Sequence, residues 1–180
     1  MNRCPTGTRD IWILGDDILD PYVAIQIGIL IILLLLSAFF SSAETALTTV
    51  NKLRMRSLAD DDNKRAIIVC QLIEHPSKML SAILIGNNVV NIAASSLTTI
   101  LATNSFKSIP IGIATGILTL VILIFGEIVP KTLATIHAER ISLRYARIIS
   151  GLTYVLTPVI WIITKISYGF LKLLHIDPNK

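Results

Sequence analysis

Hydrophobic positions in this chain fall in long unbroken runs, not in the short stripes that build a soluble core. The first run extends from about Pro21 to Val50, with a proline at the expected helix start. A second runs from about Ser77 to Thr103 and a third from about Ile111 to Thr135. Each reaches the roughly 20 residues an α-helix needs to cross about 30 Å of hydrocarbon. The pattern predicts an all-α integral membrane fold with three transmembrane helices over residues 21–138, preceded by an extracytoplasmic segment at residues 1–20.

The polar stretches between the runs set the expected orientation. Lys52, Arg54, Arg56, Lys64, Arg65 and Lys78 surround the loop at 51–76, which the excess of positive charge places in the cytoplasm. Within that loop, Ala66 to Ile73 has the spacing of a short amphipathic surface helix that Pro76 stops. Residues 104–110 carry only Lys107 and read as an outer turn, whereas Lys131, Arg140, Arg144 and Arg147 return the chain to the cytoplasmic face. The N-terminus is therefore expected outside and the C-terminus inside.

A further apolar stretch, Ile148 to Thr164, is shorter, contains Gly151 and Pro158, and has positive charge at both ends in Arg147, Lys165 and Lys172. That flanking argues against a full crossing, with a fourth span as the alternative. Residues 139–175 are expected to be amphipathic or re-entrant helices forming a belt along the inner surface, with Tyr154, Trp161 and Tyr168 at the interface and 176–180 as a tail.

Composition agrees and removes other classes. The 180 residues are 53% hydrophobic and 16% charged, with a mean hydropathy of +0.70, too apolar for an ordinary soluble domain. The net charge of +4 lies beside the spans instead of forming a basic stripe with aromatics, so it reads as a topology signal and not as a nucleic-acid surface. Asp10, Asp16, Asp17 and Asp20 precede Tyr22 to Phe40, the reverse of a secretory signal's basic flank. Cys4 and Cys70 are expected on opposite sides of the membrane, giving neither a disulfide nor a zinc site. No Ser/His dyad, paired Asp or His-Glu-x-x-His lies at helical depth, so the chain is not read as an intramembrane enzyme.

Polar residues inside the spans carry the candidate chemistry, because a carboxylate in a bilayer is costly unless it faces protein, water or an ion. Glu127 is such a carboxylate. The carbonyl of Gly126 would ordinarily accept a bond from residue 130, and Pro130 has no N–H, so that oxygen is left available beside Glu127 and Pro130 becomes a candidate hinge. Gly126 also permits close approach of another group. Asn87, Asn91 and Ser95 recur four apart on the second span, and Ser37 and Ser41 on the first, with Glu44 three further on. Ser41, Asn87 and Glu127 each lie about nine to thirteen residues, roughly 13 to 20 Å along a helix, from Lys52, Lys78 and Arg140, so they can meet at one depth. Lys131 is set aside in this reading as a side chain long enough to snorkel to the interface.

The expected ligand set is therefore Ser37, Ser41, Asn87, Asn91, the Gly126 carbonyl and Glu127, all hard oxygens, which suits magnesium, or less tightly calcium or sodium, and disfavours zinc and copper. A single carboxylate implies modest affinity. Alternatives stand beside this: the hydroxyls as helix-packing groups, the asparagines as interhelical hydrogen bonds, Glu127 bonded to a neighbouring helix, and Glu44 either attracting ions or sodium to the site or paired with a nearby Lys or Arg.

Three segments, SAFFSSAETAL at Ser37 to Leu47, IGNNVVN at Ile85 to Asn91 and GEIVPK at Gly126 to Lys131, resemble the transmembrane domain of the cyclin M/CorC magnesium transporters. The resemblance covers about residues 21–175. It implies a homodimer of three-span subunits with a juxtamembrane belt, in the plasma or bacterial inner membrane, exporting magnesium in exchange for sodium. It also implies that Ser37, Ser41, Asn87, Asn91, Gly126 and Glu127 surround the ion. Family members usually continue into a cytoplasmic nucleotide-binding pair of CBS domains, which these 180 residues do not contain, so regulation by ATP is not carried over. The same ligands would serve a non-transporting scaffold or magnesium sensor. Gly112 and Gly116 in span three fit close helix packing and a possible subunit contact.

Overall fold

The computed structural model describes residues 21–105 and 111–173, and among these there is no strand. The expectations for residues 1–20, including Cys4, for the tip of the outer turn with Lys107, and for the tail at 176–180 lie outside the described residues.

Pro21 opens α1 (Pro21–Thr49), where its fixed φ suits the first helical position and its missing N–H is no loss. Asn51 then caps α2 (Lys52–Asp60), its Oδ1 accepting from the N–H of Leu53 at 3.0 Å and of Arg54 at 3.2 Å. Asn63 does the same for α3 (Lys64–Glu74), accepting from Arg65 at 3.0 Å and Ala66 at 3.3 Å. Between them Asp62 adopts a left-handed φ of 60°, which reverses the chain. The sequence anticipated one short helix at 66–73. The loop instead holds two, because α2 is too polar overall to stand out as an apolar segment and is defined by its Asn51 cap.

Pro76 opens α4 (Pro76–Ser105) as well as ending α3. The third apolar run is not a uniform helix. It comprises α5 (Ile111–Ile122), a π-helical turn (Leu123–Ile128) and α6 (Val129–Ile136), with Pro130 in the first turn of α6. The wide turn directly precedes Pro130: the N–H of Val129 reaches back five residues to the carbonyl of Ile124 instead of four. After His137 the chain enters α7 (Ala138–Leu173), a single helix of 36 residues that contains Pro158.

Among the described residues, four helical segments, 21–49, 76–103, 115–136 and 138–167, are long and apolar enough to cross a membrane. The count differs from the three expected, because the apolar stretch at Ile148 to Thr164 is continued on both sides into one unbroken helix instead of several short ones. Exposed Ile25, Ile31, Ile32 and Leu35 on α1 and Ile113, Ile117 and Leu120 on α5 fit a lipid-facing surface.

The main apolar core lies at one end of the bundle. Leu47 and Val50 of α1 meet Met55 of α2, Val69 and Leu72 of α3, Met79 and Ile83 of α4, and Ala146 and Ile149 of α7. Phe39 joins this cluster to α7 through the Tyr145 ring, 4.5 Å between centroids. The loop helices and the first half of α7 thus form one packed unit with the ends of α1 and α4 that adjoin the 51–75 loop. Cys70 is a free thiol at its edge, its pKa raised chiefly by burial, against a lowering by Arg56, with smaller raising effects of Glu74 and Asp60.

Candidate cation site

The closest polar convergence in the bundle is at Ser37. Its hydroxyl lies 2.9 Å from Asn91 Oδ1 and 3.4 Å from the Gly126 carbonyl oxygen, so α1, α4 and the π-helical turn each bring one oxygen to the same place. One hydroxyl proton serves two acceptors there, so only one of them receives it fully at a time. Glycine is needed for this approach: a Cβ on Gly126 would stand 3.2 Å from both Ser37 Oγ and Leu34 Cδ1. A second close contact fixes the same register, because a Cβ on Gly86 would come within 2.7 Å of the Phe40 ring.

The register makes the remaining residues intelligible. Since α1 and α4 run antiparallel with Ser37 beside Asn91, one turn further along α1 and one turn back along α4 bring Ser41 and Asn87 to a common level. Both are buried, and both Ser41 Oγ and Asn87 Oδ1 lack a hydrogen-bond partner. Orphaned buried oxygens are expensive, by about 1–3 kcal/mol each. They lie one turn from the three converged oxygens, and all five are hard oxygen donors of the class that could hold a cation.

Glu127 is placed differently from the expectation. Its carboxylate accepts from the Lys131 ammonium at 2.9 Å and is about one third exposed, with 38% of the side chain accessible. The same ammonium is 3.9 Å from Glu44 Oε2 on α1. Lys131 therefore does not snorkel away but stands between two carboxylates. The i, i+4 spacing of Glu127 and Lys131 was the available signal, and the link to Glu44 was not legible before the register of α1 and α6 was known. Glu44 thus has the Lys partner that was one of its two readings. Ser95 does not belong to the buried stripe; it is exposed on α4. Among the described residues, no three His, Cys, Asp or Glu side chains gather as a metal cluster. Gly112 and Gly116 have nothing within 4 Å of a built Cβ, so they do not serve packing within this chain.

In summed form the structure joins Ser37, Asn91 and Gly126, sets Ser41 and Asn87 unsatisfied one turn away, and holds Glu127 on Lys131. The set combines neutral hard oxygens with a carboxylate that an arriving ion would have to share with an ammonium.

Comparison with known proteins follows the same residues. The profile of the cyclin M transmembrane N-terminal domain matches residues 28–180. A Haemophilus influenzae protein named UPF0053 protein is 41% identical over 154 residues, 84% of this chain and 37% of its own length. The UPF0053 inner membrane protein YfjD of Escherichia coli is 36% identical over 144 residues, 80% of this chain and 34% of its own. A second Haemophilus influenzae relative, named polyamine export protein, is 30% identical over 161 residues, 82% of this chain and 37% of its own. The chain spans little more than a third of the length of these curated relatives. With four helices of membrane-spanning length among the described residues, a polar convergence between helices on the three characteristic segments and a profile match over most of its residues, the chain belongs to the cyclin M transmembrane domain family, an integral membrane family.

Proposed function

We propose that this domain is a magnesium transporter that exports the ion by alternating access in exchange for sodium, working as a homodimer. The observation that carries the reading is the meeting of Ser37, Asn91 and Gly126 with the unpartnered oxygens of Ser41 and Asn87 one turn away. Hard neutral oxygens on three separate helices suit a small divalent cation and can be separated by helix movement. Glu127, released from Lys131, supplies the single charge, and the π-helical turn ahead of Pro130 is the place where the third span can hinge. Sodium flowing inward is the coupling source the energetics call for, since a negative-inside potential opposes divalent export by about 2.3 kcal/mol per charge per 100 mV. In this reading the loop with α2 and α3 is cytoplasmic and α7 lies as a belt on the inner surface. Its middle stays beside the loop: Ser150, Thr153 and Tyr154 line one cavity with Gln71, Leu72, His75, Lys78 and Met79.

A second substrate reading has one observation in its favour. The Lys131 ammonium sits between Glu44 and Glu127, a seat that the primary amine of a polyamine would also fit, and one relative is named for polyamine export.

The test is magnesium efflux from proteoliposomes holding a magnesium-sensitive dye, with and without an inward sodium gradient, beside spermidine efflux from matched vesicles. Sodium-dependent magnesium efflux that disappears in Asn87→Ala is the expected result. Spermidine flux without magnesium flux would give the second reading, and magnesium binding with no flux under any gradient would leave a sensor or scaffold.

A further inference from the structure

We propose that magnesium leaves the central site through a second, outer station formed by Gln26 and Thr98, where the ion regains its water. This rests on the reading of the Ser37, Asn91 and Gly126 convergence as a cation site.

Among the described residues, the buried side-chain oxygens without a partner are Gln26 Oε1, Ser41 Oγ, Asn87 Oδ1, Thr98 Oγ1 and Ser142 Oγ. Four of the five lie on α1 and α4. Taking about 100° per residue, Gln26 is eleven residues before Ser37 and returns to within about 20° of its face, while Thr98, seven after Asn91, does the same on α4. The antiparallel register therefore orders these oxygens in a row along one helix pair. Ser41 and Asn87 stand one turn to the inner side of Ser37 and Asn91. Thr98 stands about 10 Å and Gln26 about 16 Å to the outer side.

Neither outer residue is placed as a lipid-facing or packing group would be. Gln26 is 7% exposed and is the first buried residue of α1, in a segment whose apolar residues are turned outward. Thr98 is 1% exposed and leaves its hydroxyl unpaired. Its neighbours Thr99 and Thr103 satisfy theirs on the carbonyl four residues back, at 3.0 and 2.8 Å. A threonine in a helix has that escape, so a buried one that forgoes it in the membrane keeps an oxygen available at a cost of about 1–3 kcal/mol.

Leu34 and the buried Ala94 lie between the two levels, one turn outward of Ser37 and Asn91. Leu34 is the side chain whose Cδ1 would stand 3.2 Å from a Cβ on Gly126, so it covers the outer side of the central oxygens. Movement of Leu34 off Gly126 would open the central oxygens to the outer pair. An amide oxygen and a hydroxyl, with no carboxylate, cannot strip a magnesium ion of water, but they accept hydrogen bonds from water already on it. The ligand class is a hydrated divalent cation, and the outer pair serves release, not capture.

The experiment measures, on the whole chain in proteoliposomes, magnesium efflux, calorimetric magnesium binding and thermal unfolding for wild type, Thr98→Val, Gln26→Leu, the double variant, Thr98→Ser and Asn91→Ala. The expected result is efflux lowered about tenfold in the double variant, the scale of a lost charge-assisted hydrogen bond, with binding and unfolding temperature unchanged and Thr98→Ser near wild type. Wild-type efflux in the double variant, beside an inactive Asn91→Ala, overturns the outer station alone. Loss of binding together with efflux in Thr98→Val also overturns it, since the residue then supports the central site. The near-isosteric Thr98→Val decides the matter if the double variant does not fold. Unaltered binding and flux in Asn91→Ala, or binding without flux in wild type, removes the transport reading and the station with it.

Discussion

At the scale of single residues, the feature with the clearest consequence is that Lys131 holds Glu127 at 2.9 Å and reaches Glu44 at 3.9 Å. A tethered ammonium competes with any arriving cation for the same carboxylate. The pair is more than one third exposed, so it is worth no more than about 1 kcal/mol after solvent screening. Lys131→Gln should therefore tighten magnesium binding about two- to fivefold in titration calorimetry, and unchanged affinity would show that the ammonium does not compete. Gly126→Ala should act in the opposite direction. Its new methyl meets Ser37 and Leu34 at 3.2 Å, which would push α1 and the π-helical turn apart, costing about 1–3 kcal/mol in unfolding and most of the magnesium affinity. The residue types of the site were legible in the sequence, and their partners only in part. Asn87, Asn91 and Ser95 share a nominal four-residue stripe, but each step overshoots by about 40°, so by Ser95 the stripe has turned out of the interface and Thr98 takes its place. For Glu127, the sequence offered depth, charge and the i, i+4 spacing to Lys131, and only the reach of Lys131 to Glu44 depended on tertiary register.

At the scale of elements, the spans were readable because each is an apolar run of membrane length, and the caps and turns that bound them are chemically explicit at Pro21, Asn51, Asn63 and Pro76. The π-helical turn was half visible: Pro130 announced a missing hydrogen bond, whereas the hydropathy of Leu123–Ile128 is that of any span. The 36-residue α7 was least legible, because Pro158 and the flanking Arg147 and Lys165 suggested interruption and the helix continues through them. Its first half packs by Ala146 and Ile149 on Val69 and Leu72 of the loop helix, which keeps that half level with the loop. Cysteines placed singly at Ser150 and Ile163 should accordingly both react with an impermeant thiol reagent from the cytoplasmic side. Labelling from opposite sides would make α7 a fourth crossing. Cys70 is best replaced in these variants, although its raised pKa leaves little thiolate at neutral pH and slows its reaction.

At the scale of the whole molecule, a single chain leaves polar and small residues facing outward where lipid would be a poor neighbour. Asn88, Ser95 and Thr99 are exposed on α4, and Gly112 and Gly116 are exposed on α5 with open space around them. A second copy packed against Gly112 and Gly116 would use the space around them, so light scattering in detergent should give twice the 19.7 kDa chain mass, and Gly112→Leu with Gly116→Leu should shift it toward the monomer. The Glu44, Lys131 and Glu127 group also has an electrical meaning for such an assembly. Two carboxylates and one ammonium sum to a single negative charge, and a magnesium ion turns that into a single positive one. With the orientation proposed, a resting membrane potential drives the empty group outward and resists the outward stroke of the loaded one, by about 2.3 kcal/mol per charge per 100 mV for a full crossing. In the export cycle proposed above, voltage would then act as a brake that depolarisation releases.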